Sequence, residues 1–117
     1  GGMFDVTHGA GLAAIWPSWA RYVYRNALPR FVRFAVNVMR ISPEGSDEEI
    51  ALKGIGAMED FCHAVQMPVN MKELGIRPTD EQLHEMAVRA SKACGGSKGS
   101  AKVLYQEDME KIYHMAR

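Results

Sequence analysis

The segment DVTHGAGLA, residues 5–13, sets His8 between a threonine and a glycine at the mouth of an apolar stretch with helical spacing. Glycines at 9 and 11 permit close backbone approach, and Asp5 stands three residues upstream. A neutral imidazole in such a place can ligate a metal or shuttle a proton. A histidine at a helix start can equally be satisfied by local hydrogen bonds, and its surroundings leave both readings open.

Other candidates have weaker spacing. The loop Gly95-Gly96-Ser97-Lys98-Gly99-Ser100 offers bare N–H groups beside a lysine, as a phosphate loop does. It lacks the GxxxxGK[ST] spacing and a helix start, so a flexible helix connection is the simpler reading. His63, His84 and His114 fall on or near polar helix faces with no HxxxH or HxxE pattern, and read as surface histidines. Cys62 and Cys94 form no CxxC pair, which fits buried or half-buried thiols in a reducing compartment. Trp16, Trp19 and Phe4 read as core or interdomain packing, with the border of a substrate pocket as the alternative.

The elements that must hold these residues are helices. Leu12, Ile15, Trp16, Trp19, Ala20 and Val23 follow i, i+3, i+4, i+7 spacing, predicting a helix over 9–25 that Pro17 kinks or divides. Pro29 suits the first turn of a second helix, 28–39, so apolar that other elements should largely enclose it. Ser46 with Glu49 forms a capping box for a long helix whose core stripe is Ala51, Ile55, Met58, Cys62 and Val65. Pro68 ends it, and NMKELGI reads as one short turn. Thr79 with Gln82 caps a helix carrying Leu83, Met86, Ala87 and Ala90 inward until Gly95 and Gly96 stop it. A last helix over 106–116 follows, and AKVLY alone suits a short extended piece. The prediction is an all-α bundle of about five or six helices with antiparallel neighbours.

Charge limits the partners. Fourteen basic and fourteen acidic residues give a net charge of zero, which supplies no reason to bind nucleic acid or an anionic membrane. The distribution is uneven, because no acid lies between Val6 and Pro43 while Arg21, Arg25, Arg30, Arg33 and Arg40 do. That basic strip reads as a solvated or ion-paired face, or as a contact for an acidic partner domain. No apolar run approaches the roughly 20 residues that span a bilayer, and no signal peptide opens the chain, so the cytoplasm is expected.

The strings MFDVTHGAGLAAIWPSWARYVY, PRFVRFAVNVM, EEIALKGIGAMEDFCHAVQMPVNMKELGI and EQLHEMAVRAS together resemble the part of iron-containing (group III) alcohol dehydrogenases that follows their catalytic centre, above all the butanol dehydrogenase branch. The resemblance covers most of the chain. It implies a dehydroquinate synthase-like helical domain over 1–117, preceded in the parent by a nucleotide-binding α/β domain that is absent here. It also implies a metal held by one aspartate and three histidines, the last of which matches His8, while the other ligands and a GGGS-type phosphate motif lie upstream of Gly1. The implied cofactors are a divalent metal, iron or zinc, and NAD(P)H, acting on small primary alcohols and aldehydes. The family's loop with asparagine and phenylalanine is here CGGSKGSAKVLY, a departure that puts contacts from that loop in doubt.

A single imidazole is too few ligands to hold a metal, so the fragment alone is expected to be inactive and free of catalytic metal. Its uncovered apolar surface around the first helix should favour a homo-oligomer. The alternative reading is a stand-alone helical module that binds another protein through the arginine strip and aromatic face.

Overall fold

Side-chain caps set three helix starts in a computed structural model that describes residues 8–99 and 101–117. Of His8 and Lys98 only the backbone is described. The helices are α1 (His8–Val23), α2 (Leu28–Arg33), α3 (Asp47–Ala64), α4 (Met71–Leu74), α5 (Asp80–Ala93) and α6 (Gln106–Ala116). Ser46 Oγ accepts the Glu49 N–H at 3.2 Å ahead of α3, and Asn70 Oδ1 accepts that of Glu73 at 2.8 Å ahead of α4. Thr79 and Gln82 exchange both bonds of a capping box, at 3.1 and 2.9 Å, ahead of α5. Each cap satisfies a donor that the first helical turn would leave unpaired. The expected all-α bundle is the observed architecture. Its extended piece gains a partner that the sequence did not suggest, since β1 (Ser97–Lys98) and β2 (Leu104–Tyr105) pair antiparallel.

Three local expectations are corrected. Pro17 neither ends α1 nor starts a second helix. Ala14 before it, Pro17 itself and Ala20 and Val23 after it are all buried, and that burial outweighs the missing donor. The second segment is not one α-helix either. After α2 the chain widens into a π-helical turn, Phe34–Val38, and leaves it through Arg40 in a left-handed conformation. Nor is it enclosed, because only Phe31 and Ala35 are buried there and Val38 is 63% exposed. The α3 stripe is covered only in its first half. Ala51 and Ile55 are buried, Met58 and Cys62 half-buried, and Val65 is 51% exposed.

The reason for the early coverage is a close approach. A Cβ at Gly54 would stand 2.5 Å from the Ala35 Cβ, so α3 meets the π turn almost backbone to backbone. The main core joins α1, α2, α3, α5 and α6 through Val23, Phe31, Ile55, Ala87 and Ile112. A smaller cluster of Met71, Leu83 and Ala116 seats α4 against α5 and α6. Among the described residues, no helix is long and apolar enough to cross a membrane.

One polar contact ties the two ends of the bundle. The Tyr22 hydroxyl donates to the Asp108 carboxylate, which also accepts the Tyr105 N–H at 3.0 Å, and Lys102 Nζ lies 5.3 Å from the Tyr22 ring centre. The Tyr105 and Tyr22 donors hold Asp108 below its ordinary 3.8. Bonding to that carboxylate, aided by burial, pushes Tyr22 from 10.0 up to about 12.

The folded state therefore retains the phenolic proton longer than the unfolded chain does. Stability from this contact should be intact below pH 10.0 and lost as pH rises to about 12. On the acid side, Asp108 should stabilise fully above pH 3.8, with the gain lost as pH falls through its lower folded value. Thermal melts and tyrosinate absorbance across the alkaline range check the first window. Wild type should show two late tyrosines, Tyr22 and the desolvated Tyr113, and Tyr22→Phe should leave only the latter.

Candidate functional site

His8 is the first described residue and lies in α1, so the sequence-predicted ligand is placed on that helix. Among the described residues nothing lies within 4 Å of the Cβ that Gly9 would carry, and Gly9 is exposed. Phe4, Asp5 and Thr7, named with it, lie outside the described residues, as does Ser100 of the glycine-rich loop. An imidazole is a donor type that a divalent metal accepts, and His8 is the one histidine in α1. Among the described residues no group of three or more His, Cys, Asp or Glu side chains is arranged to hold a metal.

The remaining histidines are surface residues paired with carboxylates. His63 Nε2 meets Glu73 at 2.9 Å, and Glu73 also accepts the Val69 N–H at 3.1 Å; those two bonds, the backbone one foremost, lower the Glu73 pKa. His84 Nδ1 meets Glu110 at 2.6 Å, with His114 Nε2 3.8 Å from the same carboxylate. Cys62 and Cys94 are half-buried free thiols.

Packing neutralises part of the basic strip. Arg21 pairs with Glu59 in a two-point contact, and Arg25 Nε lies 3.5 Å from Glu48, so acids of α3 answer arginines of α1 and the turn after it. Arg25 also sits 5.0 Å over the Tyr24 ring. Two of the five arginines of the strip thus enter interhelical pairs.

Next along α1 lies an aromatic cleft of about 200 Å³, walled by Trp16, Trp19, Phe31 and Phe34, with Arg30 and Ala101 completing it. The rings brace one another. Trp16 and Phe34 have centroids 5.6 Å apart, Trp19 and Phe31 6.0 Å, and the two tryptophans 6.4 Å. Tilted pairs at these separations are attractive beyond their buried area, so the rings fix one another's positions. Trp19 also lines a larger hollow of about 580 Å³ that reaches Cys94, Met109 and Tyr113. The tryptophans were legible as pocket candidates in the sequence, whereas Phe31, Phe34 and Ala101 were not. The i, i+3 aromatic pairs on two successive helices were the available signal.

Comparison with known proteins places this arrangement. Residues 1–117 match the family described as Fe-containing alcohol dehydrogenase family, C-terminal. The NADH-dependent butanol dehydrogenase A of Clostridium acetobutylicum is 32% identical over 111 residues, which are 94% of this chain and 28% of that protein. The probable NADH-dependent butanol dehydrogenase 1 of Bacillus subtilis is 33% identical over the same shares. The crystal structure of NADH-dependent butanol dehydrogenase A from Thermotoga maritima superposes with a TM-score of 0.82 at 36% identity, covering 97% of this chain and 29% of that one. The chain thus spans little more than a quarter of the length of these relatives, and the comparisons give no support to a stand-alone interaction module.

Proposed function

Because the chain belongs to the iron-containing alcohol dehydrogenase family, we propose that it serves as the metal-side helical domain of an NAD(P)-dependent dehydrogenase interconverting primary alcohols and aldehydes. The observation that carries this reading is the match of the whole chain to the family's C-terminal region, with His8 placed on α1. His8 would supply one imidazole ligand, and a nucleotide-binding α/β domain with the other ligands would come from a longer chain. When bound, a divalent metal, iron or zinc, polarises the substrate oxygen while hydride passes between the carbinol carbon and the nicotinamide. The work of this domain is positional. A helix anchored by Ala14, Ala20 and Val23 fixes where His8 stands, and the Trp16 and Trp19 rings shield one side of α1 from water.

In this proposal the complete enzyme is cytoplasmic, and the fragment is a homo-oligomer, inactive and with no metal or nucleotide of its own. Butanal and NADH, with ferrous iron added, test it. The chain alone should leave NADH absorbance unchanged and bind no stoichiometric iron, whereas a longer chain with an in-frame nucleotide-binding domain should consume NADH. Turnover by the fragment, or a start codon at Met3 with no such domain upstream, would overturn the assignment. Light scattering on this chain checks the oligomer, and a monomer at all concentrations counts against it.

A further inference from the structure

An α-helix rises about 1.5 Å per residue, so Trp16 and Trp19 stand about 12 and 16 Å along the axis from His8. Leu12, Ile15 and Trp19 fall within about 40° of His8 around that axis, and Trp16 within about 80°. Leu12 is 58% exposed and Ile15 is half-buried against the core, so the residues between the His8 end of α1 and the aromatic cleft on this side of the helix are apolar. With C–C bonds of about 1.5 Å, a zigzag hydrocarbon advances roughly 1.3 Å per carbon, and about eight to ten carbons cover the first distance.

We propose that the cleft walled by Trp16, Trp19, Phe31 and Phe34 is the subsite for the hydrocarbon tail of a medium-chain primary alcohol or aldehyde whose oxygen end lies toward His8. The inference rests on the reading of His8 given above. Size selects this occupant, since a dry apolar cavity of about 150 Å³ accepts a benzene-sized molecule and the cleft offers about 200 Å³. That volume suits the end of an alkyl chain and is too small for a row of side chains from a partner helix. The braced rings leave little ordering to be done on binding, and Arg30 is the one charged residue in the lining. The larger hollow beyond Trp19 is the weaker candidate, because it touches α1 only at its far end.

Both tryptophans of the chain line the cleft, so intrinsic fluorescence reads it without metal, nucleotide or turnover. Titration of this chain with 1-butanol, 1-hexanol, 1-octanol and 1-decanol should give saturable emission changes, tightening about fourfold per added methylene until the cleft is full. Ala101→Leu, which fills the cleft from its loop wall, should abolish that gradient. Phe34→Val, which widens it, should weaken octanol binding at least fourfold. In the longer enzyme, Ala101→Leu should lower the ratio of kcat/KM for decanol over butanol about tenfold.

No response to any alkanol, a response independent of chain length, or an unchanged ratio in Ala101→Leu would each overturn the subsite. An enzyme active on butanol without a chain-length gradient sinks the tail subsite and spares the dehydrogenase reading. Graded binding by this chain, beside a longer chain that is inactive and metal-free, sinks the dehydrogenase reading, and the tail assignment falls with it.

Discussion

Gly54→Val should lower the stability of this chain by about 3 kcal/mol, the upper part of the usual range for forcing added volume into a packed site. The new Cβ would enter at 2.5 Å from the Ala35 Cβ and 2.9 Å from its Cα, and the second of these is backbone. Relief requires α3 and the Phe34–Val38 π turn to separate, which uncovers Ala51 and Ile55. A control lies two residues further along. A Cβ at Gly56 meets nothing within 4 Å, so Gly56→Ala should raise stability by about 0.5–1 kcal/mol through helix propensity alone. Thermal denaturation should show a fall of about 10 °C for the first variant and a small rise for the second. A Gly54→Val protein as stable as wild type would mean that the two elements do not meet as closely as described.

That contact also marks where sequence reasoning stops. Caps are local, so the starts set by Ser46 with Glu49 and Thr79 with Gln82 were legible from residues three apart. Periodicity names the face a helix turns inward without saying whether anything covers it. Met58, Cys62 and Val65 continue the spacing of Ala51 and Ile55 while their cover fades. The run FAVNV has no phase to distinguish a π turn from an α-helix, and the Pro17 rule counts a lost bond without counting what the flanking residues bury. Tyr22 and Asp108 lie 86 residues apart, and nothing about either side chain announces the other.

The candidate site divides in the same way. Gly9, Trp16 and Trp19 were conspicuous by type and spacing, but the cleft needs Phe31, Phe34 and Ala101 brought from two other segments. The five arginines suggested a basic face, and the structure turns two of them into pairs with Glu48 and Glu59, because α3 carries its acids on the side that meets α1 and the turn after it. His8 was singled out by its glycines and given a role only by the family resemblance, since spacing alone cannot join a residue to ligands in another domain.

His8→Ala in the longer enzyme should cut kcat/KM for butanol by roughly a thousandfold, because the several kcal/mol that a Lewis acid contributes convert at about 1.4 kcal/mol per tenfold. Metal content should fall with it, as tight binding needs three or four ligands in fixed geometry. The fold should not change. His8 lies in α1, its neighbour Gly9 is exposed, and the first buried anchor among the described residues is Ala14, more than a turn away. Circular dichroism and the melting temperature should therefore match wild type while elemental analysis shows the metal gone. A fall in activity with metal retained would assign His8 to the handling of a proton or of substrate and not to ligation. Retained activity with full metal would return His8 to the simpler reading, a histidine that only begins a helix.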